Sequence, residues 1–395
     1  MKLLICLCAL IAPACLWGQQ PSFRLEAVYG RQAYVIENGK MRVSALRGGG
    51  HIAEIRLVTR DAKLGINPLY VPTYQTIEPY QYDEAKHGDF YGRGGGRFLD
   101  AGYLGHLLCF PSFGPASSQE ELRNGLGSHG EAVTVEWKQP RPPQIDAGGV
   151  TLYYAAELPH TQYRVERAIR LPAGATVAHV EEWFENLAAY DRPYNRNQHV
   201  TLGAPFVAVD KNMLDVSGSE SVTKRRGATE PPQLDDPSVD RRTFNMAPKS
   251  SLFRTILVDK SRQTGYFTSY NNDFRLLIGY VFPVADHPWV MDWQENGSGQ
   301  ATPRLGQMVA RGIEFGTSPI DEGLRRSVER RSFLGTPAYQ WINGRQRVKA
   351  AYTIFLAEIP AGFAGVADVR TEPGQIVIIE RDTNRQFRVQ TGAPR

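Results

Sequence analysis

Tyr163-Arg-Val-Glu-Arg-Ala-Ile-Arg-Leu171 decides the fold class: Tyr163, Val165, Ile169 and Leu171 fall on one side of an extended chain, and Arg164, Glu166 and Arg170 on the other. Successive side chains of a strand leave on opposite faces, so a period of two marks a strand with one buried face. Residues 132–138 repeat the pattern, with Val133, Val135 and Trp137 opposing Thr134 and Glu136. The same reading predicts strands at 41–46, 51–58, 151–158, 177–184, 252–258, 274–282, 351–358 and 375–379. Helical spacing is confined to 119–124 and 321–331. Strands that follow one another without intervening helices exclude βαβ units and point to an all-β antiparallel sandwich or barrel. The 38 Gly and 26 Pro, both above average usage, supply the frequent turns such a fold needs.

The 395 residues are 42% hydrophobic and 22% charged, enough to bury a large core, and show no internal repeat. Large sandwiches run past 200 residues as one unit, so 33–395 is expected to be one domain after a lead-in at 19–32. Residues 1–18 carry Lys2 and an apolar run from Leu3 to Trp17, too short to span a membrane, and read as a signal peptide cleaved near Gly18. The chain is therefore expected to be exported, periplasmic or extracellular, with lipid anchoring through Cys15 as the alternative. No later stretch is long and apolar enough to cross a bilayer. Cys6, Cys8 and Cys15 lie in or beside the leader, which leaves Cys109 and rules out a disulfide framework or a cysteine-rich zinc site. A net charge of +4 spread along the chain lacks the basic stripe that nucleic acid requires.

Two irregular stretches, 70–102 and 217–245, are long for a compact domain, and loops of that length commonly carry function. Tyr74, Tyr80, Tyr82 and Tyr91 in the first offer flat amphipathic rings on which a sugar could stack; incidental surface aromatics are the alternative. Three titratable residues have unusual local settings. His129 sits in a glycine-flanked turn, His199 where Asn-Arg-Asn-Gln gives way to an apolar run, and Glu314 between Ile313 and Phe315. A carboxylate facing a cleft is desolvated and its pKa rises toward that of a general base; facing solvent, it is an ordinary strand residue. The other histidines read as structural. Nucleophile-elbow, P-loop, EF-hand and His-Glu-x-x-His motifs are missing from the sequence.

Taken in order, these segments resemble the galactose mutarotase-like superfamily. Cys109-Phe-Pro-Ser-Phe-Gly-Pro115, then Ser128-His-Gly-Glu-Ala132 and Trp137, is similar to the Phe-Pro loop, His-Gly turn and tryptophan of hexose-6-phosphate mutarotases. His199 to Phe206 resembles a His-x-x-x-Gly-x-Pro stretch, and Glu314 the glutamate of a closing Ile/Val-Glu-Pro motif in which Phe315 replaces proline. The resemblance covers roughly 33–360 and implies an antiparallel β-supersandwich that interconverts sugar anomers without metal or cofactor. It implies Glu314 as base and His199 as acid, with His129 binding the sugar or sharing the acid role. Asp292 and Trp293 are carried over as substrate-binding residues, or Asp286 in another register. Tyr103-Leu-Gly105 and Val133 stand where the phosphosugar enzymes have arginines, which points to an unphosphorylated mono- or oligosaccharide. The same fold carries non-catalytic sugar-binding and glycan-assembly proteins and parts of glycan lyases and hydrolases, and these remain alternatives.

Overall fold

The computed structural model describes residues 20–94, 97–124, 126–225 and 233–392; the expected leader 1–18 and Cys15 lie outside the described residues. Two antiparallel sheets face each other. The larger has ten strands in the spatial order Ser22–Val28, Arg31–Glu37, Met41–Leu46, Ile52–Leu57, His106–Cys109, Asn197–Gly203, Val309–Gly316, Trp289–Asn296, Ser250–Val258 and Gly218–Arg225. The smaller has eight: Asn212–Val216, Thr264–Asn271, Leu276–Pro283, Arg347–Glu358, Val177–Asn186, Tyr163–Pro172, Gly149–Leu158 and Gln144–Asp146. Alternating side chains from both inner faces, among them Val43, Ile55, Val200 and Ile313 from one and Leu152, Ile169, Val180 and Ile354 from the other, form the main core. This is the expected antiparallel supersandwich. Val366–Glu372, Gln375–Glu380 and Gln386–Gln390 form a third sheet, whose Val369, Ile376 and Val389 share a second core with Val177, Tyr266 and Phe355. Among the described residues no helix is long and apolar enough to cross a membrane.

Several expectations are corrected. Residues 132–138 are not a continuous strand: turns at 132–134 lead into isolated bridges of Glu136 with Gly48 and of Lys138 with Ala155, and the buried Trp137 donates its indole Nε1–H to the Ala132 carbonyl at 3.0 Å. The domain begins earlier than residue 33, because Ser22–Val28 pairs along its whole length with Arg31–Glu37 at the sheet edge. The expected helix 321–331 starts at Leu324, and 70–102 contains two short helices, Glu84–Tyr91 and Arg97–Gly102.

The strand Tyr163–Pro172 shows the predicted alternation, with one addition. Arg167 has the parity of Tyr163, Val165 and Ile169 and therefore points into the sandwich, where it is fully buried. Its Nε donates to Glu182 Oε1 at 2.6 Å, and its Nη1 to the Tyr154 hydroxyl at 2.7 Å and the Gly50 carbonyl at 2.9 Å. Glu182 Oε2 accepts from Gln198 Nε2 at 2.6 Å, and Gln198 Oε1 accepts from His106 Nε2 at 3.0 Å and the Tyr352 hydroxyl at 3.2 Å. The network ties the strand Asn197–Gly203 of one sheet to four strands of the other. Removing one partner of a buried ion pair strands the other charge, so Arg167→Leu is expected to cost about 3–5 kcal/mol in urea unfolding. The Arg167→Leu/Glu182→Leu pair should lose clearly less; equal losses would show that packing volume, not the stranded carboxylate, dominates.

Candidate active site

Because Gln198 is held inside the sandwich, the next residue, His199, must point to the outer face of the ten-stranded sheet. There the register sets His199 directly across from Glu314 and Trp293 directly across from Gly312. His199 Nε2 lies 3.0 Å from Glu314 Oε1. A Cβ on Gly312 would stand 2.8 Å from Trp293, 3.1 Å from His199 and 3.2 Å from Glu314, so glycine at this position lets the three side chains converge. His129 arrives from a loop in the left-handed backbone region (φ 63°). Its ring packs edge-on to that of His199, with centroids 5.2 Å apart. Its Nδ1 accepts the Gly114 N–H at 3.4 Å and lies 3.3 Å from the buried Cys109 sulfur, which leaves Nε2 as the protonated nitrogen of the neutral ring.

His129, His199, Trp293 and Glu314 thus meet in the wall of one cleft of about 1490 Å³. Asp292 and Asp286 do not join them. Adjacent residues of a strand face opposite ways, so Trp293 in the cleft puts Asp292 inside the protein. It is fully buried there, bonded to Arg311 through both oxygens at 2.7 and 2.8 Å and to Arg254 at 3.0 Å. Asp286 lies in the turn before Trp289–Asn296, its carbonyl oxygen accepting from Arg196 Nη2 at 2.7 Å. Nor do Tyr74, Tyr80, Tyr82 and Tyr91 line the cleft. Tyr82 and Tyr91 bury themselves with Ala101 in the small core of their own loop, and Tyr74 packs against Phe90 and Tyr91.

The site also recruits residues outside the sequence reading. Thr201 Oγ1 lies 3.0 Å from His199 Nδ1, and the Tyr103 hydroxyl 2.9 Å from Thr201 Oγ1. Arg304 stands 5.4 Å over the Tyr103 ring and donates to Asp100 Oδ1 at 2.8 Å. Asp321 is a further carboxyl in the cleft wall. Thr201 was open to discovery, since it has the parity of His199 two residues on. Arg304, from a loop, and Asp100, from the helix Arg97–Gly102, are 204 residues apart and carry no local signal.

Burial dominates the electrostatics. It pushes the Glu314 carboxyl well above the usual carboxylate range, and the charges of Asp321 and Asp292 push the same way. It holds His199 well below the ordinary imidazole value, with His129 and His106 adding to the effect. Both groups favour their uncharged forms, so the pair shares one proton along the Oε1···Nε2 contact and carries no net charge. Glu314 Oε2 is buried and has no hydrogen-bond partner among the described residues. Burial, aided by Arg304, brings His129 down to about 4 and, acting on the carboxyl, brings Asp321 up to about 6. A shared proton beside a carboxyl oxygen whose lone pairs have no partner among the described residues is the equipment of general acid and base catalysis. Among the described residues no group of three or more His, Cys, Asp or Glu is placed to hold a metal ion.

No family model matches the chain, and no curated protein matches it in sequence. Solved structures do. A candidate aldose 1-epimerase from Klebsiella pneumoniae superposes with a TM-score of 0.61 at 13% identity over 85% of this chain and 82% of its own. A galactose mutarotase-like protein from Clostridium acetobutylicum gives 0.58 at 11% identity over 86% of this chain and 100% of its own. A TPR-domain containing protein from Parabacteroides distasonis gives 0.54 at 13% identity over 90% of this chain, which spans only 51% of that longer protein. The chain has the galactose mutarotase-like fold; at these identities the likeness concerns the fold.

Glu314→Gln keeps the shape and can still donate to His199. Because the folded carboxyl holds its proton above the ordinary value of 4.5, the wild type loses stability relative to the variant as pH rises from 4.5 toward the raised folded value. Calorimetry is expected to find equal melting temperatures at or below pH 4.5 and a gap favouring the variant that widens toward about pH 7. A gap that stays constant over that range would mean that Glu314 ionises as an ordinary carboxyl in the fold.

Proposed function

We propose that the protein interconverts the anomers of an unphosphorylated sugar, with Glu314 as base and His199 as acid. The observation that carries this reading is the 3.0 Å contact between His199 Nε2 and Glu314 Oε1 in the cleft. Moving the shared proton from Oε1 to Nε2 turns the resting pair into a carboxylate and an imidazolium, whose Nδ1–H donates to Thr201 Oγ1. Glu314 Oε2 then takes the proton of the anomeric hydroxyl while Nε2–H passes to the ring oxygen. The bond between the anomeric carbon and the ring oxygen breaks, and the anomeric carbon becomes a carbonyl. Rotation about the next bond and the reverse transfers close the other anomer. The resting pair and the ring-open state are both uncharged, the form that burial favours, so the carboxylate–imidazolium pair is formed only in passing.

The cleft wall sets four carboxyl residues, Asp100, Glu295, Glu314 and Asp321, against three cations, Arg93, Lys249 and Arg304, and Arg304 is already paired with Asp100. That balance suits hydroxyl groups better than a phosphate. A second reading, hydrolysis or lyase cleavage of a glycan, is favoured by Asp321, a second carboxyl beside Glu314 of the kind two-carboxylate chemistry needs. A sugar-binding protein without turnover is the remaining reading of the same cleft.

Anomer exchange of neutral aldoses, followed by saturation-transfer NMR, is expected to be accelerated by the wild type. Glu314→Gln and His199→Asn should each lower the rate by about 100-fold or more, and a 6-phosphate on the sugar should bring no gain. Exchange untouched by both substitutions would end the mutarotase reading, and new reducing ends released from a glycan would replace it with the cleavage reading. Export belongs to the same proposal: the N-terminus of the protein isolated from its native cells should lie near residue 19, or be a lipid-modified Cys15. An intact Met1 in the mass spectrum would contradict it.

A further inference from the structure

The strands Asn197–Gly203, Val309–Gly316, Trp289–Asn296 and Ser250–Val258 are consecutive neighbours in the ten-stranded sheet. Their registers align Thr201, Gly312, Trp293 and Phe253 in one row across it, beside the row that holds His199 and Glu314. Three strand spacings of about 4.8 Å make that row roughly 14 Å long. From the acid and base outward it is floored by rings. Trp293 meets His199 edge-on at 5.8 Å, and Phe253 lies nearly parallel to Trp293, 18° off, at 6.3 Å. The indole is fixed by its Nε1–H, which donates to Ser251 Oγ at 3.1 Å, and Phe253 remains only half-buried in the cleft wall. Glu295, one strand step from Trp293 on the same face, and Lys249 at the rim supply polar groups alongside.

The volume agrees. Pockets for one compact ligand span about 300–1,000 Å³, whereas this cleft measures about 1490 Å³. A site for a lone hexose has no use for an aromatic floor that continues two strands beyond the reacting groups. Carbohydrate rings, apolar on their C–H faces and rimmed by hydroxyls, match such a floor flanked by polar groups.

We propose that the ligand is an oligosaccharide, with its terminal reducing sugar at His199 and Glu314 and the preceding units laid over Trp293 and Phe253. This rests on the sugar-binding reading above and adds the substrate class. Phe253 is assigned as the specificity-determining residue for chain length.

Binding of D-glucose and D-galactose and of their 1,4-linked di- and trisaccharides can be measured by tryptophan fluorescence and calorimetry, with anomer exchange recorded on the same samples. The trisaccharide of at least one series should bind about tenfold more tightly than its monosaccharide, the gain one well-placed aromatic contact provides. Phe253→Ala is expected to collapse that ratio toward one, and Phe253→Tyr, which keeps the ring, to preserve it. A ratio near one in the wild type, or a loss in Phe253→Ala that is equal at every chain length, would overturn the extended site. Length-dependent binding without anomer exchange would uphold the oligosaccharide site and sink the mutarotase reading. Exchange on monosaccharides with no gain from length would do the reverse.

Discussion

The side-chain arrangement of the cleft depends on a polar contact buried on the other side of its sheet. Gln198 cannot leave the interior without breaking its bonds to Glu182, His106 and Tyr352, and Glu182 in turn neutralises Arg167. A slip of one residue in the strand Asn197–Gly203 would place His199 in the sandwich and Gln198 in the cleft, since every side chain changes face with such a slip. Val200 and Leu202 would leave the core in that slip and the polar His199 and Thr201 would enter it, so the apolar pattern already opposes it. A buried ion pair with directional hydrogen bonds discriminates strongly. Such pairs are poor sources of net stability, and their better attested use is to select one arrangement. Arg167 and Glu182 fit that use, because the strand they pin is the one that carries His199.

The same inner face of the sheet carries a second buried charge cluster, whose acid contrasts with the one on the cleft face. Asp292 is satisfied by Arg311 and Arg254, and its carboxyl stays below the usual range despite burial because those guanidinium groups outweigh the desolvation. Glu314 is equally buried, and here burial prevails and raises the carboxyl, with the charges of Asp321 and Asp292 pushing the same way. Two acids on adjacent strands of one sheet thus receive opposite treatment. The difference is whether an arginine or another carboxyl stands nearby. A buried acid with its charge neutralised serves structure, and one left without a cation is available for proton transfer.

How much of this could be read from the sequence follows the same physics. Period-two alternation made Gly149–Leu158, Tyr163–Pro172, Val177–Asn186 and Arg347–Glu358 of the eight-stranded sheet visible, because their two faces meet core and solvent, whereas Asn212–Val216, Thr264–Asn271 and Gln144–Asp146 of the same sheet lie outside the predicted strands. The alternation misled at 132–138, where Val133 and Trp137 are buried in a turning segment that makes only isolated bridges to Gly48 and Ala155 and joins neither sheet as a strand. Strands with both faces covered, such as Asn197–Gly203, His106–Cys109 and Val309–Gly316, lack that alternation, and the first two were missed altogether. For the site, motif order singled out His129, His199, Trp293 and Glu314, which converge. Asp292 and Trp293 are neighbours on one strand, so parity, itself legible in the sequence, turns Asp292 away from the cleft that Trp293 lines. The contribution of Arg304, Asp100 and Asp321 depends on how loops close over the sheet, and no local pattern records that closure.

The loops also decide what the cleft can admit. Tyr74, Tyr82 and Tyr91 are used up inside their own segment, 70–102, where Tyr91 donates to the Gln75 carbonyl at 2.7 Å and packs with Tyr82 and Ala101. That segment contributes Asp100 and Tyr103 as a rigid wall and offers no stacking surface of its own. The aromatic surface comes from the sheet, where Trp293 and Phe253 are fixed by strand pairing and not by loop conformation. Rings carried on paired strands lose little freedom when a ligand arrives, so binding over them is entropically cheaper than binding that must order a loop. Specificity for the outer part of a ligand is therefore built into the register of the sheet, the same constraint that brings His199 to Glu314.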